Sequence, residues 1–243
     1  MRILITGHKG FIGGYLYKEL SKEHEVFGID LKDGQDILYS HLPDVDLVYH
    51  LAAQADVIKS VDNPLLDARQ NIMTIIKIIE RYPNTKIIFS SSGGAIQNEN
   101  AESPYGLAKI TCEKYLKLLH KNYIICRFPN VFGEGSHSVI EKFLEQPECN
   151  CYNAGLNTRD YVHVSDIIKG LILSQKWEKG IYQMGSEKEV MTLDIARATR
   201  KKINVLNKIP GELVNSVVKN TTPNWKPTIN PIEYVHSNLH NSI

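Results

Sequence analysis

Nowhere does this chain string together the ~20 apolar residues that a membrane-spanning helix needs. Its first apolar run ends at Ile5, short of a secretory leader's core. An excess of one charge is missing as well. Lys and Arg number 28 against 27 Asp and Glu, a formal net charge of +1 with the signs interspersed, so nothing marks a nucleic acid or an anionic membrane as partner. Cysteine is scarce: Cys112, Cys126, Cys149 and Cys151. Cys149 and Cys151 stand one residue apart where zinc pairs use two to four, and no second pair exists to complete a site. Reduced thiols, no metal and a cytoplasmic location are the expectation. Internal repeats and low-complexity tracts are absent too.

What is present is enough apolar material for a full core, 42% of 243 residues. Short apolar runs alternate with longer helical patterns, the signature of βαβ units and a parallel sheet. Strands are expected at Arg2–Thr6, Glu25–Asp30, Asp46–Leu51, Lys86–Ser92 and Tyr123–Arg127, with helices at Phe11–Lys22, Leu65–Arg81 and Pro104–Lys121. In Leu65–Arg81, Ile72, Ile75, Ile76 and Ile79 recur at helical spacing and should face the sheet. Runs such as Ile3-Leu4-Ile5 and Ile87-Ile88-Phe89 suit strands covered on both faces. Beyond Arg127 the pattern loosens: helices at His137–Glu145, Val164–Ser174 and Thr192–Lys202, then a stretch from Asn204 to Ile243 that reads as loop with a short terminal helix.

The first strand runs straight into Thr6-Gly7-His8-Lys9-Gly10-Phe11-Ile12-Gly13-Gly14 and then a helix. Glycines there let the chain turn sharply and bring backbone N–H groups to a pyrophosphate, while the helix offers its positive end to the same anion. The second strand ends at Asp30, about 20 residues on, where a carboxylate accepts from ribose hydroxyls and repels a 2′-phosphate. This favours NAD. Lys9, a cation inside the loop, leaves NADP open.

Ser103-Pro104-Tyr105-Gly106-Leu107-Ala108-Lys109 sets a tyrosine and a lysine four apart, on one face of a helix. A phenol near pKa 10 is a poor base at neutral pH, and a neighbouring ammonium is expected to lower that pKa, as is the positive nicotinamide ring of NAD⁺. Such a tyrosine can exchange a proton with a substrate hydroxyl. His50, mid-strand, reads as a satisfied buried histidine. His137, after a Gly-rich turn, could line a substrate cleft but reads rather as a solvated loop residue.

The Gly-x-x-Gly-x-x-Gly spacing resembles the extended short-chain dehydrogenase/reductase superfamily, in particular its NAD-dependent epimerase/dehydratase family. Asp36-Ile37 resembles the family's adenine-contacting pair and His50-Leu51-Ala52-Ala53 its fourth-strand signature. Ser60-Val61-Asp62-Asn63-Pro64 followed by Asn71, Arg127-Phe128-Pro129-Asn130-Val131-Phe132-Gly133, Arg159-Asp160-Tyr161-Val162-His163-Val164 and Trp225-Lys226-Pro227 extend the resemblance over nearly the whole chain. It implies an α/β fold, a Rossmann-type doubly wound parallel sheet with a small, reduced C-terminal substrate lobe. Residues 1–134, joined by 161–185, would bind NAD; 135–160 and 186–243 would form the lobe. Implied cofactor contacts are Gly7, Lys9, Gly10, Phe11, Ile12 and Gly13, then Asp30, Asp36 and Ile37, then Leu51, Ala52, Ala53 and Asn71, with Tyr105 and Lys109.

Tyr105 and Lys109 would be catalytic with a strand-end serine, Ser92 as first choice and Ser91 as second. Dehydratases of the family carry Asp-Glu after that serine. Gly93-Gly94 stands here, which leaves chemistry that needs only hydride transfer. An epimerase acting on a nucleotide sugar at C4, through a 4-keto intermediate, is favoured as a step in carbohydrate biosynthesis. A 4-ketoreductase or dehydrogenase stays open, as does a non-catalytic NAD-binding module. Asn130 and Arg159 resemble residues that hold the substrate's diphosphate. A second family arginine is missing near Ile209-Pro210-Gly211-Glu212, where Lys208 could substitute as a point charge. The family's homodimers, built on a four-helix interface, would draw on the helices near Leu65–Arg81 and Pro104–Lys121.

Overall fold

The structure, a computed structural model, describes residues 1–93, 101, 103–207 and 215–239. The readings made at Gly94 and at Lys208 to Glu212 lie outside the described residues. Two compact units divide the chain: 1–127 with 171–182, and 128–170 with 183–243.

The first unit begins with β1 (Arg2–Thr6), α1 (Phe11–Leu20), β2 (Glu25–Ile29) and β3 (Leu47–His50). It continues through α2 (Val57–Asp62), α3 (Pro64–Ala68), α4 (Thr74–Arg81), β4 (Lys86–Ser92), α5 (Pro104–Leu119) and β5 (Tyr123–Phe128). The strands form one sheet in the order Gly180–Gln183, β5, β4, β3, β1, β2. β1 lies parallel to both β2 and β3, and β3 parallel to β4. The chain therefore winds outward in two directions from β1, and the carboxyl ends of β1 and β3 mark the crevice where ligands bind in such sheets. Leu4, Val48, Ile87 and Ile125 are fully buried beside Ile75, Ile78 and Leu116 from the helices, as the near-continuous apolar strands require.

One expected helix is broken. Leu65–Arg81 is α3 and α4 joined through a π-helical turn, Arg69–Met73. The extra residue in that turn shifts the inward face, so that Ile75, Ile78 and Ile79 are buried while Ile72 and Ile76 are half-buried. The α3 start is conventional: Asn63 accepts from the Leu66 N–H, and Pro64 occupies the first turn.

The second unit holds β6 (Asn130–Phe132), α6 (Val139–Glu145), β7 (Glu148–Tyr152), β8 (Thr158–Arg159), β9 (Tyr161–His163) and the start of α7 (Val164–Ser174). After β10 (Gly180–Gln183) come β11 (Val190–Met191), α8 (Thr192–Ala198), β12 (Lys202–Leu206), β13 (Asn215–Ser216) and α9 (Pro231–Asn238). Three small sheets result: β6 with β9, β7 with β12, and β11 and β13 flanking β8. Several expectations are corrected here. Residues 161–170 belong with the second unit, because β9 pairs with β6. The helix expected to Lys202 stops at Ala198, since Lys202 opens a strand parallel to β7. The loop expected from Asn204 contains β12 and β13; its terminal helix is α9. Asp166 secures the Trp225-Lys226-Pro227 stretch, accepting from the N–H groups of Thr228 and Ile229 at 2.7 and 3.0 Å while its carbonyl accepts from the Trp225 indole at 2.7 Å.

Candidate active site

The turn after β1 is built for a close backbone approach. Gly7 has φ +74°, and a Cβ there would lie 2.8 Å from the Ala52 backbone. A Cβ on Gly13 would lie 2.0 Å from the Gly7 carbonyl, so α1 packs against the turn only because both are glycine. Helix α1 opens at this point with no side-chain cap, leaving its first N–H groups for a ligand. The Asp30 carboxylate ties the crevice together, accepting from the Lys9 and Lys32 N–H groups at 2.9 Å each.

Beside the turn is a cleft of about 330 Å3, within the range of small-ligand sites. Gly7, Gly10, Asp30, Asp36 and Ile37 line it together with Leu51, Ala52 and Ala53. Of the other residues the resemblance offered as cofactor contacts, Lys9, Phe11, Ile12, Gly13, Asn71, Tyr105 and Lys109 are not among its walls. The Lys9 amine pairs with Asp33, which also meets His8 Nε2 at 3.2 Å. The cation that left NADP open is thus already balanced. Asn71 is buried in the π turn, donating to the Gln54 carbonyl and to Asp67, with Oδ1 unpartnered. Arg69 was missed. It comes from the same π turn to line the cleft and pairs with Asp36 at 2.9 Å, and a lone arginine in a polar stretch gives no signal in the sequence. Glycine cradle, strand-end carboxylate and cleft together fit a dinucleotide.

At the end of β4 the Ser92 hydroxyl is hydrogen-bonded to the Tyr105 phenol. Ser91, the second choice, donates instead to buried Glu113 at 2.6 Å, so the geometry favours Ser92 as the serine that faces the phenol. α5 presents Tyr105 because Ser103 caps it, accepting from the Gly106 N–H at 3.1 Å, with Pro104 in its first turn. Lys109 follows one turn on, fully buried, donating to the Ser90 carbonyl at 2.9 Å and standing 4.8 Å over the Phe89 ring.

The electrostatics correct one expectation. The Tyr105 phenol is pushed up to about 12 by burial, against which the Ser92 hydrogen bond works. The ammonium was expected to lower it, but Lys109 Nζ lies 5.8 Å from the Tyr105 ring centroid and is engaged by main chain. Burial also drives Lys109 itself down to about 8, opposed by Cys112, Asp67 and Glu113. His50 is the satisfied core histidine it was read to be. Thr6 meets its Nδ1 at 2.8 Å, Phe89 stacks on it, and burial holds it down near 3. All four thiols are buried, and among the described residues no group of His, Cys, Asp and Glu could hold a metal ion. No helix among them is long and apolar enough to cross a membrane.

In the second unit Asn130 and Arg159 line one cavity of about 290 Å3. Asn130 donates to the Asp160 carbonyl at 3.2 Å and Arg159 to that of Thr158 at 2.9 Å. The Asp160 carboxylate serves the N–H groups of Ser186, Glu187 and Val218 and the Ser186 hydroxyl. His137, read as a solvated loop residue, lines the same cavity.

The profile of the NAD dependent epimerase/dehydratase family matches residues 3–185. A Methanocaldococcus jannaschii protein with the provisional name UDP-glucose 4-epimerase is 29% identical over 93% of each chain. The UDP-glucose 4-epimerase of Mycolicibacterium smegmatis is 29% identical over 71% of this chain and 72% of its own. Among solved structures, the UDP-glucose 4-epimerase of Thermotoga maritima, determined with UDP-glucose, superposes with a TM-score of 0.88 at 26% identity, covering 99% of this chain and 98% of that one.

Proposed function

Because the chain belongs to the NAD-dependent epimerase/dehydratase family, we propose that it is an NAD-dependent 4-epimerase of nucleotide sugars, with UDP-hexoses as its substrate class. The observation that carries this reading is the Ser92–Tyr105 hydroxyl pair, backed one helical turn away by the buried Lys109 amine. NAD, when bound, supplies a hydride acceptor for the sugar carbon and then a donor to its opposite face. Asp30 accepts from the adenosine ribose hydroxyls, and the glycine turn takes the pyrophosphate on its N–H groups. Tyr105 Oη, its own proton first lost to water and its phenolate favoured by the positive charge that bound NAD would bring, would receive the proton of the C4 hydroxyl as the C4–H bond breaks, and return it to the C4 oxygen when hydride comes back. Ser92 Oγ holds that oxygen by a hydrogen bond throughout. Asn130 and Arg159 hold the diphosphate, for which a planar guanidinium is suited.

Dimerisation through helices of the first unit belongs to the same proposal. Leu65 on α3 is 80% exposed and Leu118 on α5 81%, large apolar side chains that a partner subunit would cover. A cytoplasmic location accords with four reduced, buried thiols.

The test is to incubate the NAD-loaded protein with UDP-glucose, UDP-galactose and their N-acetyl and uronate counterparts, and to resolve the products by NMR. The expected outcome is interconversion at C4 with no net change in NADH absorbance. A stoichiometric absorbance change would assign the site to a ketoreductase or dehydrogenase, and no turnover of any nucleotide sugar would overturn the reading.

A further inference from the structure

Three consecutive serines at the end of β4 are fastened to three consecutive turns of α5. The Ser92 hydroxyl bonds Tyr105, the Ser90 carbonyl accepts from Lys109 at 2.9 Å, and the Ser91 hydroxyl donates to Glu113 at 2.6 Å. Tyr105, Lys109 and Glu113 are spaced by four, so one helix face makes all three fastenings. Glu113 is gripped from β5 as well. Arg127 Nε reaches its Oε1 at 2.8 Å and Nη2 its Oε2 at 2.7 Å. Side-chain exposures of 3% and 8% put the pair deep in the first unit.

Stability alone does not account for such a pair. Two charges taken out of water recover little more than their desolvation cost, and an apolar pair of similar volume is commonly as stable. What the pair adds is direction. A bidentate guanidinium leaves the carboxylate one orientation, and Oε1 in that orientation still has a lone pair for Ser91. Ser91 is covalently next to Ser92, so fixing one restricts where the other's hydroxyl lies.

We propose that Glu113, oriented by Arg127, is a positioning residue: through Ser91 it sets the end of β4 so that the Ser92 hydroxyl meets the Tyr105 phenol. The inference rests on the reading of Ser92 and Tyr105 as reacting groups. Misplacing such groups by about 1 Å is enough to cost on the order of 100-fold in rate, and Ser91→Ala removes one tether of three. That variant is expected to lose about tenfold in kcat with KM essentially unchanged, the pattern of an interaction realised in the transition state. Glu113→Gln keeps an acceptor for Ser91 but turns an amide N–H toward Arg127 Nη2, so where it folds its kcat should lie between those of wild type and Ser91→Ala. The double variant Glu113→Leu with Arg127→Met leaves no unpaired charge, should fold, and should match Ser91→Ala.

The second readout does not need turnover. With 13Cζ-tyrosine in the full-length protein, the Tyr105 signal is identified by its loss in Tyr105→Phe, and it should shift in Ser91→Ala and in the double variant. An unmoved Tyr105 signal in folded Ser91→Ala overturns the proposal, as does a moved signal with wild-type kcat. A moved signal in a protein whose wild type converts no nucleotide sugar leaves the tether standing and removes the function proposed above.

Discussion

Lys109 and Asp160 are both charged groups taken wholly out of water, yet the two units treat them in opposite ways. Asp160, in the second unit, is enclosed by hydrogen bonds from Ser186, Glu187 and Val218, which work against the burial that raises its carboxyl. Lys109, in the first, has one carbonyl and an aromatic face, and burial brings its amine down to about 8. A fully satisfied buried charge is architecture. A sparsely satisfied one, with its pKa near neutrality and a tyrosine one turn away, is where chemistry is expected. Substitutions in the two places should therefore fail differently.

The largest effect should come from Tyr105→Phe. Losing the phenol bonded to Ser92 would remove the proton exchange proposed at the C4 oxygen, and kcat should fall on the order of 100- to 10,000-fold. The melting temperature should hold, because what is deleted is a hydroxyl whose burial was itself costly. Steady-state rates beside a thermal scan check both halves. Retained turnover in a folded variant would remove Tyr105 from the reaction.

Acid should weaken the first unit next. His50 has its pKa lowered from 6.5 to about 3 by burial and by Lys109. The unfolded chain takes up that proton below about pH 6.5 while the folded chain refuses it, so stability is intact above 6.5 and declines as pH falls toward 3. The slope is about 1.4 kcal/mol per pH unit, on the order of 5 kcal/mol in all. In the second unit His163 is shifted the same way by burial, with Asp166 opposing, and contributes less. Urea titrations from pH 7 to pH 4 should show the loss in the wild type and a flatter profile in His50→Gln.

Asp160→Asn should invert the pattern of Tyr105→Phe. An amide turned toward the Ser186 and Val218 N–H groups leaves donors facing donors, at a cost of about 2 to 3 kcal/mol. Turnover at a temperature where the variant is folded should stay within twofold of wild type. If kcat collapses with the fold intact, the contrast between architectural and working charges is wrong.

How much of this was legible beforehand follows from the range of the interactions. The glycine turn, Asp30 and the Tyr105/Lys109 spacing are local: each is written in residues less than one turn or one βα unit apart, and the structure brings them where that spacing said. The fourth-strand segment Leu51-Ala52-Ala53 needed the resemblance, since nothing in three apolar residues specifies a cleft wall. The π turn at Arg69–Met73 adds a residue to a helix without any change in apolar period large enough to see. β8, β11 and β13 are two residues each and exist only through pairings such as Thr158 with Met191 and Arg159 with Ser216. Above all, the Tyr105 phenol was read from its helical neighbour, whereas burial, a tertiary property, governs it. The Glu113 fastening was present as a third member of the four-residue spacing and went unread because a glutamate on a helix is ordinarily a solvated one.

The smallest effect tests the exposed rim of the first unit, where charges are screened rather than buried. Asp33 takes both the Lys9 amine and His8, and the Lys32 amine donates to the Lys9 carbonyl at 2.9 Å. Asp33→Asn would release a cation beside the strand-end Asp30, the position a 2′-phosphate would occupy. Exposed pairs contribute under about 1 kcal/mol, so NADP should gain no more than a few-fold in affinity relative to NAD, and the gain should fade in 0.5 M salt. Asp30→Ala, which removes the carboxylate that repels the phosphate, should shift the ratio further than Asp33→Asn, because Asp30 is buried in the crevice and Asp33 stands at its edge. Competition calorimetry of the two dinucleotides ranks the variants. If Asp33→Asn shifts the ratio more than Asp30→Ala, cofactor choice is made at the rim by Lys9 and not in the crevice by the aspartate.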